Sequence, residues 1–179
     1  MRVIAGAWRG RPLIAPPGQS TRPTADRVRE SLFSMLVSRI GNFEEVTVAD
    51  LYAGSGALGI EALSRGAAKC CFVERDRSAA TALRANLAAV GATDRGQVIN
   101  STVESFMPSQ PLQLILADPP YAPGSGSAVV RLAAAGLWLA AGGWLAVETA
   151  RGDAIDPGNY ALEAERDIGR GRVTLLRNG

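Results

Sequence analysis

Alternation of short apolar runs with helical stretches begins at residue 45 and constrains the fold more than any other feature of the sequence. The pattern predicts, in chain order, strand 46–51, helix 57–64, strand 70–74, helix 78–90, strand 97–100, strand 112–117, helix 128–139 and strand 144–148. Strands separated by helices are typical of a mostly parallel, doubly wound α/β sheet with helices on both faces. The final apolar runs, 161–166 and 172–176, have no helix between them and are predicted to form an antiparallel hairpin at the sheet edge.

The segment before this alternation follows a different pattern. Extended stretches at 2–4 and 12–14 flank Gly6 and Gly10, which predicts a short hairpin that lies outside the core. Apolar residues then recur every four positions from residue 24 to residue 40, which predicts an amphipathic helix. We therefore divide the chain into an N-terminal hairpin and helix appendage, residues 1–40, and a sheet domain, residues 41–179.

Charge is distributed unevenly between these two parts. The segment 1–39 holds seven arginines against two acidic residues, a local charge of +5, whereas the whole chain carries +2. An electropositive surface of this kind can contact the phosphates of a nucleic acid, and solvated arginines at a domain edge explain the same pattern. Charge alone does not separate the two interpretations.

Composition excludes several kinds of chemistry. The chain has no histidine, which removes Ser-His-Asp catalysis and the commonest nitrogen ligand of metals. Its two cysteines, Cys70 and Cys71, are adjacent, a spacing that fits neither a disulfide framework nor a zinc site, so no metal is predicted. No apolar run approaches the roughly 20 residues that cross a bilayer, and the start of the chain does not resemble a secretory signal. We predict a soluble, cytoplasmic protein that acts as a monomer.

A glycine-rich turn follows the first predicted strand. Asp50, Gly54, Gly56 and Gly59 lie where that strand passes into the first helix, which is where a doubly wound sheet binds nucleotide-like ligands. Gly54 and Gly56 allow the backbone to approach a ligand closely. Glu74, at the end of the second predicted strand, can accept hydrogen bonds from two ribose hydroxyls. The spacing indicates an adenosine-containing ligand rather than a turn whose glycines serve only packing.

The same glycines also satisfy the dinucleotide pattern of NAD enzymes. A pyrophosphate favours bare amide groups at a helix N-terminus without a nearby anion, whereas Asp50 places a carboxylate beside the turn. A carboxylate suits S-adenosylmethionine, which carries an ammonium and a sulfonium. Asp50 is therefore predicted to contact this cofactor, and a role as a strand-end cap is the second interpretation.

The segment 118–121, Asp-Pro-Pro-Tyr, follows the fourth strand directly and should lie beside the glycine turn. An exocyclic base amine is a poor nucleophile because its lone pair is delocalised into the ring. The Asp118 carboxylate and the Pro119 carbonyl can hold such an amine by its hydrogens, and Tyr121 can stack on the base. Pro119 and Pro120 fix φ and keep that carbonyl rigid. We predict direct methyl transfer to the amine with these four catalytic residues; an ordinary turn is the alternative for Asp-Pro-Pro taken alone.

These motifs, in this order, resemble those of the class I methyltransferases that carry an Asp/Asn-Pro-Pro-Phe/Tyr segment. Within that group the chain is similar to the RsmD-type 16S rRNA guanine-N2 methyltransferases of bacteria, because residues 6–11 (GAWRGR) and 22–33 (RPTADRVRESLF) look like signatures of that family. The resemblance implies the Rossmann-like sheet order 3-2-1-4-5-7-6 and S-adenosylmethionine as methyl donor. It also implies 16S rRNA, within the small ribosomal subunit or its assembly intermediate, as substrate, with N2 of guanine 966 as the acceptor.

The resemblance also assigns roles to individual residues. Asp50, Gly54 and Gly56 would line the methionine part of the cofactor, Glu74 the ribose, and Thr102 with Val103 the adenine. Three further residues complete the predicted cofactor contacts: Tyr52, Arg75 and Asp118. The basic N-terminal segment supplies the candidates for RNA contact, with ordinary surface charge as the alternative for each: Arg9, Arg11, Arg22 and Arg29.

Four other functions fit parts of the pattern. A DNA adenine-N6 methyltransferase shares the catalytic tetrapeptide, but the loop 122–127 is short for a segment that reads duplex DNA. A protein-glutamine methyltransferase acts on a similar amide nitrogen, and the basic N-terminal segment argues weakly against it. An RNA-binding assembly protein without activity would not require both motifs, and an NAD-dependent oxidoreductase would not require the tetrapeptide.

Overall fold

A seven-stranded sheet runs through the part of the chain that the structure, a computed structural model, describes: residues 1–16 and 23–179. The elements are, in chain order, α1 (Pro23–Ile40), β1 (Thr47–Leu51), α2 (Ala57–Ser64), β2 (Lys69–Val73), α3 (Arg77–Val90), β3 (Gly96–Ile99), a 3-10 turn (Val103–Ser105), β4 (Leu112–Ala117), α4 (Ser125–Ala135), β5 (Leu139–Ala150), β6 (Ala161–Ile168) and β7 (Gly171–Arg177). The sheet order is β3-β2-β1-β4-β5-β7-β6. Strands β1 to β5 are parallel, and β7 is antiparallel to both of its neighbours. The predicted α/β fold, strand order and edge hairpin are confirmed.

The strand order reverses at β1. From β1 the chain builds β2 and β3 on one side and then returns to place β4 on the other side. Connections that leave in opposite directions open a crevice at the carboxyl ends of the two central strands. The residues that follow β1 and β4 therefore meet at this crevice.

Alternation along the strands separates two hydrophobic clusters, one on each face of the sheet. Val48, Leu114 and Ala146 lie in the cluster that contains the buried residues of α1, α2 and α3. Their neighbours on the strands, such as Ile115 and Leu145, lie in the cluster that contains the buried residues of α4. Because successive strand side chains point to opposite faces, each face carries its own helices, as predicted.

The N-terminal segment forms the predicted hairpin but does not lie outside the core. Arg2 and Pro12 form an antiparallel bridge, and the Leu13 amide donates to the Met1 carbonyl at 2.9 Å. Val3 and Leu13 are only 1% and 5% exposed and belong to the same cluster as α1, α2 and α3. The expectation of a hairpin without a core contribution was wrong, because its alternate residues are apolar and are buried by the sheet domain. A boundary at residue 40 stays a prediction.

A buried carboxylate of α2 holds the hairpin. Glu61 is fully buried and accepts hydrogen bonds from the amides of Ile4 (2.7 Å) and Ala5 (2.9 Å) and from Nε of Arg65 (2.9 Å). One turn later, the Ser64 hydroxyl donates to the Ala5 carbonyl at 2.6 Å. A buried carboxylate is tolerated only when its oxygens are hydrogen-bonded. The hairpin amides therefore stabilise the buried Glu61 carboxylate, and the carboxylate in turn fixes the position of the hairpin.

A second anchor, Asn86 of α3, joins the hairpin to the glycine turn. Its amide oxygen accepts from the Ile14 amide at 2.8 Å, and its nitrogen donates to the Ile14 carbonyl at 2.9 Å. The same nitrogen donates to the Ser55 carbonyl at 2.9 Å. One buried side chain thus fixes two segments that are distant from each other in sequence.

Helix α4 begins and ends earlier than predicted. The helix was expected over 128–139 but spans Ser125–Ala135, so the second half of the expected loop 122–127 is helical. Gly136 ends the helix, and a Cβ there would lie 2.1 Å from the Trp138 ring nitrogen. Trp138 is buried because it packs edge-on against Phe106, and Leu139 is buried because it begins β5. The apolar side chains of Trp138 and Leu139 are therefore not part of a helix face. Strand β5 begins at Leu139 and is longer than the expected strand 144–148.

The two cysteines lie side by side in β2 as free thiols. Cys70 is buried, and burial raises the pKa of its thiol well above the usual value, so it is held in the unreactive protonated form. Cys71 is half-buried. In the part of the chain that the structure describes, no helix is long and apolar enough to cross a membrane.

Candidate active site

A cavity of about 630 Å³ opens at the carboxyl ends of β1, β2, β4 and β5. Most of the predicted cofactor and catalytic residues line it: Asp50, Tyr52, Gly54, Glu74, Arg75, Thr102, Val103, Asp118 and Pro120. Three others, Gly56, Pro119 and Tyr121, are the chain neighbours of lining residues. The fold therefore brings the glycine turn and the Asp-Pro-Pro-Tyr segment to one cavity, although they are far apart in the sequence.

The glycine turn requires glycine for two reasons. Gly54 and Gly56 have φ of 55° and 79°, in the left-handed region that side chains disfavour. A Cβ on Gly56 would lie 2.1 Å from a methyl carbon of Leu83, so the turn also has no space for a side chain. Gly54 lines the cavity, so a ligand can approach its backbone closely, whereas Gly56 is buried and lets Leu83 pack against the turn.

Asp50 caps the helix that follows the turn and also lines the cavity. One carboxylate oxygen accepts a hydrogen bond from the Gly59 amide at 2.8 Å, in the first turn of α2. The side chain is 1% exposed, and burial raises its pKa well above the usual value, although the Gly59 hydrogen bond opposes this effect. The structure therefore shows Asp50 as a strand-end cap, which was its second interpretation. Because Asp50 also lines the cavity, a cationic ligand bound there would lie near its carboxyl group.

Glu74 is held in place at the edge of the cavity by backbone groups. One oxygen accepts from the Gly54 amide at 2.8 Å, and the other accepts from the Asp76 amide at 2.7 Å. Asn100 donates to the carbonyls of Glu74 (2.8 Å) and Arg75 (3.1 Å). Each carboxylate oxygen has a second acceptor position, so Glu74 can still accept hydrogen bonds from hydroxyl groups of a ligand.

Asp118 lines the same cavity, directly after β4. The residue is exposed where it lines the cavity, and the surrounding protein lowers the hydration of its carboxyl group. This loss of hydration, together with the charge of Glu148, raises the pKa of Asp118 to about 7. Asp118 is thus poised to take up or release a proton near neutral pH.

Glu148, at the end of β5, is the main site residue that the sequence analysis missed. The register pairs Ala117 with Val147, which places Asp118 opposite Glu148 on adjacent parallel strands. Both residues line the cavity, and burial raises the pKa of Glu148 as well. The available signal was a single acidic residue at the end of the otherwise apolar run 144–148.

Tyr121 is connected to the same carboxylate. Its hydroxyl donates to a Glu148 oxygen at 2.5 Å, while the residue remains 52% exposed. Before it, Pro119 is buried and Pro120 lines the cavity, and the Pro120 carbonyl accepts from the Ala122 amide at 2.6 Å. The tetrapeptide is therefore a tight turn whose acid and tyrosine both adjoin Glu148.

Two of the candidate RNA contacts, Arg9 and Arg11, are exposed on the N-terminal hairpin. Arg11 donates a hydrogen bond to the Ala89 carbonyl at 3.4 Å. A third candidate, Arg22, lies outside the described residues. Arg9 and Arg11 remain candidates because exposed guanidinium groups can reach the phosphates of a nucleic acid.

Arg29 requires a correction, because it is not a surface residue. It is 5% exposed, and its guanidinium donates to the Arg2 carbonyl at 2.5 Å and to Asp26 at 3.1 Å. Burial lowers its pKa from the usual value. Arg29 also borders the cavity, together with Asp26 and Met1. The helix period placed it away from the apolar stripe, but the hairpin packs over that position and covers it.

Solved structures with the same architecture identify the class of this fold. The structure matches the Escherichia coli protein named "Putative methyltransferase yhhF" with a TM-score of 0.86 and 37% identity over 99% of this chain and 97% of that chain. It matches the Haemophilus influenzae protein named "putative methylase HI0767" with a TM-score of 0.81 and 32% identity over 99% and 97% of the two chains. A Thermus thermophilus 16S rRNA N2 G1207 methyltransferase, at 22% identity and a TM-score of 0.70, shares the fold over 91% of this chain and 45% of that chain. The fold is that of the Rossmann-like, class I methyltransferases.

Sequence comparisons place the chain in one family within this class. The family model described as Conserved hypothetical protein 95 matches residues 1–177. The Ribosomal RNA small subunit methyltransferase D of Escherichia coli is 37% identical over 174 residues, 95% of this chain and 86% of that protein. The protein of the same name from Haemophilus influenzae is 35% identical over 184 residues, 99% and 94% of the two chains. The chain belongs to this family of RsmD-type proteins.

Proposed function

We propose that the chain transfers a methyl group from S-adenosylmethionine to the exocyclic N2 amine of a guanine in 16S rRNA, guanine 966. The relatives that carry the name Ribosomal RNA small subunit methyltransferase D support rRNA of the small subunit as the substrate. The observation that carries the proposal is the position of Asp118, which lines the same cavity as the glycine turn and Glu74. The enzyme would act in the cytoplasm as a monomer, on the small subunit or its assembly intermediate, without a metal.

The cavity residues fit S-adenosylmethionine. Glu74 would accept hydrogen bonds from the ribose hydroxyls, since both of its oxygens are oriented by backbone amides and keep acceptor positions. The uncovered backbone of Gly54 and the carboxylate of Asp50 would adjoin the methionine part. The remaining predicted contacts would lie along the adenosine: Tyr52, Arg75, Thr102 and Val103. When bound, this cofactor supplies an electrophilic methyl group on a sulfonium.

Asp118 is the proposed acceptor for the hydrogens of the base amine. By holding the amine through one N–H, its carboxylate directs the nitrogen lone pair toward the methyl group. The N–C bond forms as the C–S bond breaks, the electron pair of the latter remains on sulfur, and the nitrogen gives one proton to Asp118. A pKa of about 7 makes Asp118 an effective acceptor of that proton at neutral pH. The partly exposed Tyr121 ring would stack on the base, and the Pro119 carbonyl would accept the other amine hydrogen.

The N-terminal hairpin is the proposed RNA-contacting surface. Arg9 and Arg11 are exposed there, and Arg22 is retained as a third candidate. Glu61 holds the hairpin rigidly against α2, so phosphate contacts made by these arginines would orient the RNA relative to the cavity.

A transfer assay with labelled S-adenosylmethionine tests the proposal. The acceptors are small subunits that lack the modification, naked 16S rRNA, duplex DNA and ribosomal proteins, and the product nucleosides are identified. We expect N2-methylguanosine from the subunit or the rRNA. N6-methyladenine in DNA would instead establish the second candidate, an adenine methyltransferase with the same tetrapeptide. Only residues 122–124 separate that tetrapeptide from α4, which leaves little room for a segment that reads duplex DNA.

Methyl transfer is expected to depend on pH through the Asp118–Glu148 pair. The pKa of Asp118 is raised to about 7, so the reactive carboxylate form is lost as the pH falls through this value. We expect kcat/KM to fall about tenfold per pH unit well below pH 7 and to level off above it. The control is the affinity for S-adenosylhomocysteine, which should stay nearly constant over the same range. A rate that is flat from about one pH unit below this pKa to about one unit above it would contradict the role of Asp118.

Glu74→Ala is expected to weaken cofactor binding. Loss of two charge-assisted hydrogen bonds to the ribose should reduce the affinity for S-adenosylhomocysteine by roughly 10- to 100-fold in isothermal titration calorimetry. Glu104→Ala, which removes an exposed carboxylate from the same cavity, is the matched control and should change the affinity by less than about threefold. Equal losses in the two variants would show that cavity charge, rather than the position of Glu74, determines the affinity.

A further inference from the structure

We propose that Glu148 recognises the N1–H of the target guanine and thereby selects guanine over adenine. The inference rests on the proposed guanine-N2 function and assigns the specificity of that reaction to a residue beyond the Asp-Pro-Pro-Tyr segment.

The geometry places two carboxylates side by side at the acceptor end of the cavity. Asp118 and Glu148 follow a paired position of β4 and β5, Ala117 with Val147, so their backbones are neighbours. Parallel strands in register direct opposite residues to the same face of the sheet. Both side chains line the cavity, and the Tyr121 hydroxyl fixes one Glu148 oxygen at 2.5 Å. The second oxygen of Glu148 is not used by Tyr121, and the Glu148 charge acts on Asp118 across the same end of the cavity.

Two adjacent acceptors match the edge of guanine and do not match that of adenine. Guanine presents two neighbouring donors, N1–H and the N2 amine, on its pairing edge. Adenine presents one donor, the N6 amine, beside N1, which is an acceptor. With an amine held by Asp118, the neighbouring position faces Glu148. At that position a carboxylate accepts the N1–H of guanine, whereas it repels the N1 lone pair of adenine. A site rejects a base strongly when binding would leave a buried polar group unpaired.

A purely orienting role of Glu148 toward Tyr121 makes a different prediction. If Glu148 only positions the ring, Tyr121→Phe should reproduce the effect of Glu148→Ala, because both substitutions remove the same hydrogen bond. If Glu148 reads the base, Tyr121→Phe should slow transfer without changing which base is preferred.

The test compares two bases that carry the same amine. Small subunits are reconstituted with 16S rRNA in which the target guanine is either kept or replaced by 2,6-diaminopurine, whose N2 amine is intact but whose N1 is an acceptor. We expect the wild-type enzyme to favour guanine in kcat/KM by at least about tenfold. Glu148→Gln offers an N–H to N1 of 2,6-diaminopurine while its oxygen still accepts from Tyr121, so the ratio should fall by at least about tenfold. Glu148→Ala should lose the preference without gaining the opposite one, and Tyr121→Phe should keep it.

The outcomes separate the inference from the proposed function. If the Glu148 variants lost kcat/KM equally on both bases, so that the ratio of guanine to 2,6-diaminopurine stayed unchanged, the inference would be overturned. The proposed methylation of guanine would not be affected by that result. Absence of N2-methylguanosine with the wild-type enzyme would instead overturn the proposed function. Binding of S-adenosylhomocysteine verifies that each variant is folded, and Glu148→Ala provides the readout if Glu148→Gln fails this check.

Discussion

Replacement of Asp118 by alanine is expected to abolish measurable methyl transfer while S-adenosylhomocysteine still binds. The variant loses the acceptor that holds the base amine and takes its proton, a contribution of roughly 10²–10⁴ in rate for a positioned general base. The Asp118 carboxylate borders the cofactor cavity but does not orient Glu74, whose carboxylate is held by backbone amides. Cofactor affinity should therefore change by less than about fivefold, a loss within about 1 kcal/mol.

The measurement is single-turnover transfer to small subunits together with calorimetric titration of S-adenosylhomocysteine. Asp94→Ala serves as the matched control, since it removes an exposed carboxylate outside the cavity and makes the same change in net charge. Asp118→Asn tests the proton separately, because the amide keeps the hydrogen-bond acceptor but cannot serve as the base. If Asp118→Ala retained more than a tenth of the wild-type rate, its catalytic assignment would be wrong.

The largest effect on stability is expected from Glu61→Ala. This substitution leaves the amides of Ile4 and Ala5 and the side chain of Arg65 without their acceptor. Breaking such a buried, paired group costs about 3–5 kcal/mol, which corresponds to a decrease in Tm of roughly 6–20 °C for a chain of this size. The N-terminal hairpin should loosen first, so trypsin should cleave after Arg9 faster than in the wild type.

Thermal and urea unfolding measure the decrease in the free energy of unfolding. Mass spectrometry of the tryptic fragments shows whether the N-terminal hairpin has loosened. Glu163→Ala, an exposed acid on β6, is the control and should alter the free energy of unfolding by no more than about 0.5 kcal/mol. A Glu61→Ala protein that unfolds within about 1 kcal/mol of the wild type would show that water replaces the carboxylate at these donors.

Local pattern was sufficient to predict the sheet and the two motifs that adjoin the cavity. The apolar runs and the helices between them determine which segments pair in parallel, and the crevice follows from the order of those segments. Gly54 and Gly56 could be identified because a tight turn between a strand and a helix favours glycine at left-handed positions. Asp50 and Asp118 could be identified because each lies at the carboxyl end of a central strand.

Features that depend on long-range packing could not be predicted in this way. Glu148 acquires its role only from the register between β4 and β5, which no local pattern reports. Arg29 is covered by a hairpin from the start of the chain, so its helix position alone suggested exposure. Trp138 extends an apolar run of helical character, but its burial arises from Phe106 in a different segment.

The double attachment of Asn86 has a thermodynamic consequence for the order in which ligands bind. Asn86 bonds both Ile14, beside the proposed RNA-contacting hairpin, and Ser55, within the turn proposed to receive the cofactor. We expect a movement of either segment to stretch the hydrogen bonds of Asn86, in which case occupancy at one site would change the free energy of binding at the other. Linkage is reciprocal: whatever factor rRNA imposes on cofactor affinity, the cofactor imposes on rRNA affinity. Asn86→Ala should uncouple the two equilibria and make the binding of each ligand independent of the other.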